Sequence, residues 1–317
     1  MKVVGLQTHI WDNNLKSILL LVVFPLLIGI LVYLGCLMIV IADGSSKSIL
    51  NDSFAYTFVS MLCVIPAILI WFLIAFAFNK QIINAMTKSK GLERKDNPKI
   101  YNIVENLCIS RGLPVPTIQI IEDDSLNAFA SGLSPKDSAI TFSRGILNKL
   151  SDQEIEAVAA HELTHIINRD VRLMIVSIIF VGIIQTIADL IVRVNIRSNS
   201  NSKDSGNLFL IILVIKIVAF ILGFFISVIV QLAISRKREF LADAGSVELT
   251  KTSEYLISAL VKIDQDSQIE AVENRSVAQM FFDNPLSKKE KLNFVDKMFM
   301  THPSIDERIA ALRMVAS

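Results

Sequence analysis

Cysteine is scarce in this chain, with three in 317 residues: Cys36, Cys63 and Cys108. Two of them lie inside apolar runs, which argues against a disulfide framework or a thiolate metal site and suits a reducing compartment for the polar part. Excess charge of either sign is also missing, since Lys+Arg 31 stands against Asp+Glu 30. No global basic field is present to hold nucleic acid. A cleavable signal is not expected either. The first apolar run is far longer than a signal-peptide core, and no small-residue cleavage pattern ends it. Histidine occurs four times, so any clustering of it carries weight.

Apolar residues are what the chain has in plenty. It is 52% hydrophobic with a mean hydropathy of +0.54, too apolar for an ordinary soluble protein of this length. Ser17–Ala42 and Ser53–Asn79 carry no charge, and each exceeds the roughly 20 residues a helix needs to cross hydrocarbon. Two further runs, 171–192 and 207–235, are weaker. The uncharged core of the first is short, and the second contains Lys216. They are read as a second membrane hairpin, with a buried helical pair in a soluble core as the alternative.

Orientation follows from lysine and arginine. Lys80, Lys88, Lys90, Arg94, Lys95 and Lys99 follow the second span, against Lys47 alone in the first loop. This bias puts residues 80–170 and the N-terminus in the cytoplasm, and Arg236, Lys237 and Arg238 mark the cytoplasmic end of the fourth span. Arg193, Arg197 and Lys203 in the loop 193–206 fit this topology less well.

The domain plan is therefore a membrane hairpin over 1–79, polar domain over 80–170, a second hairpin over 171–235, and the rest of the polar domain over 236–317. Within the polar parts, helical spacing over 98–112 ends at Gly112-Leu-Pro114. Short strand-like segments follow at 117–122, 126–132 and 138–143, predicting a small, mainly antiparallel sheet. Ser151-Asp-Gln-Glu154 and Ser304-Ile-Asp-Glu307 are capping boxes that open two helices. Residues 264–293 are polar and irregular apart from Met280-Phe-Phe282 and read as an insertion.

The first of these boxes starts the helix that carries His161-Glu162-Leu163-Thr164-His165. An i, i+4 pair puts both imidazoles on one face, where their nitrogens can meet on a single ion. Zinc held by two histidines and a carboxylate keeps a fourth position open for water, whose pKa falls to about 7. Glu162 lies close enough round the helix to accept that water's proton. A chance surface cluster is the bland alternative, and four histidines per chain make it improbable. A third ligand must come from the same side of the membrane. Glu239 and Asp243 emerge directly after the fourth run, again at i, i+4. Glu239 is a candidate ligand and Asp243 a candidate acceptor for a ligand ring N–H; the alternative is that Glu239 pairs with neighbouring arginines.

His-Glu-Leu-Thr-His, a hydrophobic hairpin and then Ser235-Arg-Lys-Arg-Glu-Phe-Leu-Ala-Asp243 resemble the HtpX family of integral-membrane zinc metallopeptidases, gluzincins related to the CAAX prenyl proteases. "NAFASG" upstream and "THPSIDERI" near the end add to the likeness, which covers essentially the whole chain. The resemblance implies a mainly α, four-span membrane protein with a cytoplasmic α+β peptidase domain, its small antiparallel sheet lying on the zinc helix. It implies one Zn2+ per chain on His161, His165 and Glu239, with Glu162 as general base and Asp243 behind a ligand histidine. Asn127, Ala128 and Phe129 then form the rim where an extended substrate pairs by strand addition; read alone, they are equally a plain strand before a glycine turn. His302 would help to stabilise an oxyanion, or else is a surface residue beside Pro303. The implied role is proteolytic quality control of misfolded or damaged membrane proteins at the bacterial cytoplasmic (inner) membrane, with unfolded polypeptides as substrates, the bilayer as partner and no nucleic acid. A prenyl-protein protease needs more spans to wall a chamber. A transporter or scaffold with structural zinc would leave Glu162 without a use, and apart from Arg172 at the edge of the third run only Asp189 and Lys216 lie within the spans, too few for a charge relay.

Overall fold

The structure, a computed structural model, describes residues 6–44, 46–193, 212–218, 220, 221, 236–266, 269, 280–282 and 303–315. The chain divides into two compact units, one of residues 17–77 and 177–231, the other of residues 1–16, 78–176 and 232–317.

The first unit holds most of α1 (Leu6–Asp43) and all of α2 (Ile49–Ala77). Among the described residues these two are long and apolar enough to cross a membrane. Cys36 Sγ lies 3.7 Å from Ser60 Oγ, and the rings of Tyr33 and Phe54 are 4.8 Å apart, so the helices touch side by side. Phe58, Leu62 and Leu73 of α2 are more than half exposed, a surface that water would not tolerate over such a length. Pro25 and Pro66 sit inside these helices, as prolines in membrane helices often do. The third expected span falls within α7 (Asp170–Arg193). The fourth lies largely outside the described residues, which are helical at 212–218.

The second unit opens with α3 (Asn79–Thr87), β1 (Lys90–Gly91) and α4 (Pro98–Arg111). Asn97 caps α4 by accepting from the Ile100 N–H at 3.2 Å, and Gly112 ends it at φ 63. Then come β2 (Thr117–Ile121), β3 (Ala128–Gly132), a 3-10 turn at Pro135–Asp137, and β4 (Ser138–Ser143). The sheet order is β1-β2-β4-β3. It is mixed where a mainly antiparallel sheet was expected, because β2 and β4 run parallel while the other neighbours are antiparallel.

The reason lies in the link between β2 and β3. Asp123 takes the Ser125 N–H on its side chain at 2.9 Å and the Gly145 N–H on its carbonyl at 2.9 Å. The link is thereby tied to the end of β4 and cannot close a hairpin. A Cβ on Gly145 would fall 2.0 Å from the Asp124 carbonyl oxygen, so only glycine permits this approach. β4 fills the place beside β2, and β3 becomes the edge. At the β3–β4 turn Gly132 has φ 113 and faces the Asp137 carbonyl, a second position that excludes a side chain.

After α5 (Arg144–Lys149) comes α6 (Asp152–Ile167), whose reciprocal Ser151–Glu154 capping box is present as expected. Ala157, Val158, Ala159 and Ala160 are wholly buried, and these mostly small side chains let α8 (Arg236–Thr250) lie close. Ser246 Oγ donates to the Ala157 carbonyl at 2.7 Å. A Cβ on Gly245 would come within 2.4 Å of Thr164. The chain continues with α9 (Glu254–Ile263) and α10 (Ile305–Val315). Ser304 and Glu307 form the second capping box, at 3.1 and 3.2 Å.

Glu154 also fastens α9 to α6, accepting from Lys262 Nζ at 2.7 Å and Ser258 Oγ at 2.5 Å. Burial alone would raise its pKa, but the bonds from Lys262, Ser258 and Ser151 outweigh it and hold the carboxyl below its ordinary value. Its contribution is therefore complete above the unfolded pKa of about 4.3 and is lost as pH falls through the lower folded value. Glu154→Gln is expected to cost about 1–3 kcal/mol at pH 7. Melting curves of both proteins across pH should converge below about pH 4; a constant gap would show that the charge is irrelevant.

Candidate metal centre

Two helices bring the candidate ligands together. On α6 the ring centroids of His161 and His165 are 4.7 Å apart, and their Nε2 atoms 3.1 Å. From α8, Glu239 turns one oxygen to each ring. Its Oε2 is 3.6 Å from His161 Nε2 and its Oε1 is 3.6 Å from His165 Nε2. Ligand atoms from all three residues lie within 4.8 Å of one another.

A carboxylate holds each ring from behind. Asp243 Oδ1 is 3.0 Å from His161 Nδ1, and Asp170 Oδ2 is 3.0 Å from His165 Nδ1. These contacts assign the ring protons to Nδ1 and leave a lone pair on each Nε2. Two lone pairs 3.1 Å apart beside a carboxylate repel one another unless a cation lies among them. Ligand atoms about 2.0–2.1 Å from one tetrahedral ion sit roughly 3.4 Å apart. The separations of 3.1 and 3.6 Å bracket that value. Two imidazoles and a carboxylate, with no thiolate, fit zinc in an open site.

Asp170 reaches its histidine because the metal helix stops. It does not run on into the third apolar run: α6 ends at Ile167, Asn168 closes it, and Arg169 turns left-handed at φ 60. In an unbroken helix a residue at i+5 lies about 140° round from His165. The break swings Asp170 back onto the ring. Asp243→Asn and Asp170→Asn are each expected to weaken zinc binding 10–100-fold, measurable by competition with a chromophoric chelator.

Arg308 of α10, 1% exposed, completes the buried array. It donates to Asp243 through Nε at 2.9 Å and Nη2 at 2.6 Å, and through Nη1 to the Phe282 carbonyl at 3.1 Å. Its guanidinium carbon lies 4.4 Å from the Phe282 ring centroid. Burial favours a protonated Asp243, yet the charge and hydrogen bonds of Arg308 and His161 hold its pKa below the usual range.

Glu162 is 2% exposed and lines one cleft with Ala130, His165 and Glu239. Burial pushes its carboxyl up to about 7, and the nearby Glu239 adds to the rise. His165, Arg308 and a hydrogen bond with the Ala130 backbone oppose it. A carboxylate so poised can exchange a proton with water near neutral pH.

Of the rim residues, Ala128 and Phe129 lie in β3 and Asn127 immediately precedes it, all three buried. Asn127 Oδ1 accepts from the Ala128 N–H at 3.0 Å. His302 lies outside the described residues, as does most of the 264–293 insertion. Sequence reasoning missed Asp170 and Arg308. A signal for Arg308 existed: it sits at i−4 from Leu312 on the buried stripe of an amphipathic helix, where an apolar residue is the norm.

The model of peptidase family M48 matches residues 94–316. The chain belongs to that family. A protease HtpX homolog of Bacteroides fragilis (strain YCH46) is 45% identical over 98% of this chain and 99% of its own length. A protease HtpX homolog of Listeria monocytogenes is 35% identical over 89% of this chain and 95% of its own. The crystal structure of S. mikatae Ste24p is 18% identical with a TM-score of 0.45, covering 96% of this chain and 66% of that one. As an M48 peptidase with two apolar helices suited to a bilayer, the protein is a membrane-bound metalloprotease that hydrolyses peptide bonds. Membership of M48 implies a metal, generally zinc, and His161, His165 and Glu239 form a triad that could hold one.

Proposed function

We propose that this chain is a zinc endopeptidase of the bacterial cytoplasmic membrane that cleaves unfolded or damaged membrane proteins at the cytoplasmic surface. The observation that carries the reading is the meeting of His161, His165 and Glu239 beside the buried Glu162. In this reading the three residues hold one zinc ion, which supplies Lewis acidity towards water and a peptide carbonyl. Glu162 accepts the proton of the attacking water and returns it to the departing amine. Asp243 and Asp170 keep the two rings in the tautomer that points Nε2 inward. β3 offers its edge to an extended polypeptide, which gives affinity with little demand on side chains and suits unfolded substrates.

Four spans and a cytoplasmic site are supported by the lysines and arginines after the second and fourth apolar runs. Two spans between His165 and Glu239 would return both ligands to one side of the bilayer. The quality-control role rests on the likeness to HtpX proteases. The test is zinc content and hydrolysis of an unfolded protein by the purified chain. Glu239→Ala is expected to lose both, while Glu254→Ala, an exposed carboxylate on α9, keeps both. Equal zinc in the two variants would remove Glu239 from the ligand set.

A further inference from the structure

The edge of β3 that would pair with substrate already has a partner in the chain itself. Phe281 forms an isolated antiparallel bridge with Phe129. The Phe282 N–H donates to the Ala128 carbonyl at 2.8 Å, and the Phe282 carbonyl accepts from Arg308 Nη1 at 3.1 Å. The Phe281 ring lies 4.7 Å from that of Phe129, and the Phe282 ring 4.7 Å from that of His161, one of the three triad residues. Met280, Phe281 and Phe282 are at most 4% exposed and line the same cleft as Glu162, His165 and Glu239.

These contacts are what strand addition by a peptide would make: main-chain bonds to the edge, and side chains seated in the cleft. One stretch of strand edge pairs with one partner strand at a time. A substrate backbone bonded to the Ala128 carbonyl and Met280–Phe282 in its observed place exclude each other. We propose that Met280–Phe282 is an internal pseudo-substrate, which occupies the cleft at rest and is displaced by extended polypeptide carrying bulky apolar side chains. This rests on the peptidase reading given above. It supplies restraint to an enzyme whose backbone-directed site would otherwise cut loosely, and it selects substrates that expose the apolar side chains a folded protein hides. Only the fraction of molecules with the edge vacated binds substrate, so the apparent affinity is lowered by that fraction.

The test locks the occupant in place. Residues opposite each other across antiparallel strands have Cβ atoms about 4.5–5.5 Å apart, close enough for a disulfide after small adjustment. Phe129→Cys and Phe281→Cys are combined in a Cys63→Ser background. The zinc-loaded protein is assayed on an unfolded protein before and after oxidation, and again after reduction. Oxidation is expected to lower hydrolysis at least about tenfold with zinc retained, and reduction to restore it. Hydrolysis by the oxidised protein at the reduced rate overturns the proposal, since the segment is then a fixed wall. Should the reduced double variant be inactive, Phe281→Ala decides. A KM about three- to tenfold lower with kcat little changed supports displacement, and an unchanged or higher KM overturns it. A zinc-loaded parent that cleaves nothing overturns the peptidase reading and this proposal with it. A parent that cleaves normally while the locked form cleaves equally well sinks the proposal alone.

Discussion

Glu162→Gln is expected to retain zinc and fold while losing hydrolysis by roughly 10²–10⁴-fold, the usual share of a general base. Glutamine has the same shape but cannot accept the proton of the attacking water. The fold should not suffer, because burial already disfavours the charged carboxylate and pushes its pKa to about 7. A neutral side chain removes that cost, so the melting temperature of the metal-free variant at pH 8 is expected to equal or exceed the parent's. The measurements are zinc per chain, melting temperature, and turnover of an unfolded protein. Turnover near the parent rate at full zinc content would end the general-base assignment. Loss of zinc together with activity would mean that Glu162 supports the ligands and does not act on water.

The part of this centre that can be read from sequence is the part that is local along a helix. His161 and His165 are one turn apart, Glu162 lies between them, and the Ser151–Glu154 capping box fixes where the helix starts. Glu239 and Asp243 are again one turn apart, and both meet the histidines in the structure. What could not be read depends on chain reversal or distant contact. Asp170 needs the break at Arg169, which is neither glycine nor asparagine and gives no hint of a left-handed turn. The parallel pairing of β2 with β4 depends on side-chain and backbone bonds of Asp123, and no alternation of apolar residues records those. The segment 280–282 reads as an aromatic patch in an irregular stretch, and its bridge to Phe129 spans a sequence distance that periodicity cannot reach.

Arg308→Met is expected to be the most damaging single change outside the ligands. The guanidinium is buried, grips both oxygens of Asp243, and approaches Glu239 Oε2 at 3.8 Å. Methionine fills much of the volume but leaves Asp243 as a buried carboxylate without its main counter-charge, a change that typically costs 3–5 kcal/mol. The carboxyl relieves that cost by shifting towards its protonated form, because burial is then opposed by His161 without the charge and hydrogen bonds of Arg308. A protonated Asp243 no longer favours the Nδ1–H tautomer of His161, so zinc affinity should fall by about 10–100-fold as well. Arg308→Lys keeps the charge without the two-pronged geometry and should recover only part of both losses. Leu312→Ala separates the two effects. Leu312 is buried on the same helix, so its truncation should cost about 2–5 kcal/mol of stability while leaving zinc affinity in the folded protein unchanged. Chelator competition and thermal melts on the three variants decide the matter. Equal zinc affinity in Arg308→Met and Leu312→Ala would reduce Arg308 to a core residue, whereas a selective loss in Arg308→Met ties the C-terminal helix to the metal through Asp243.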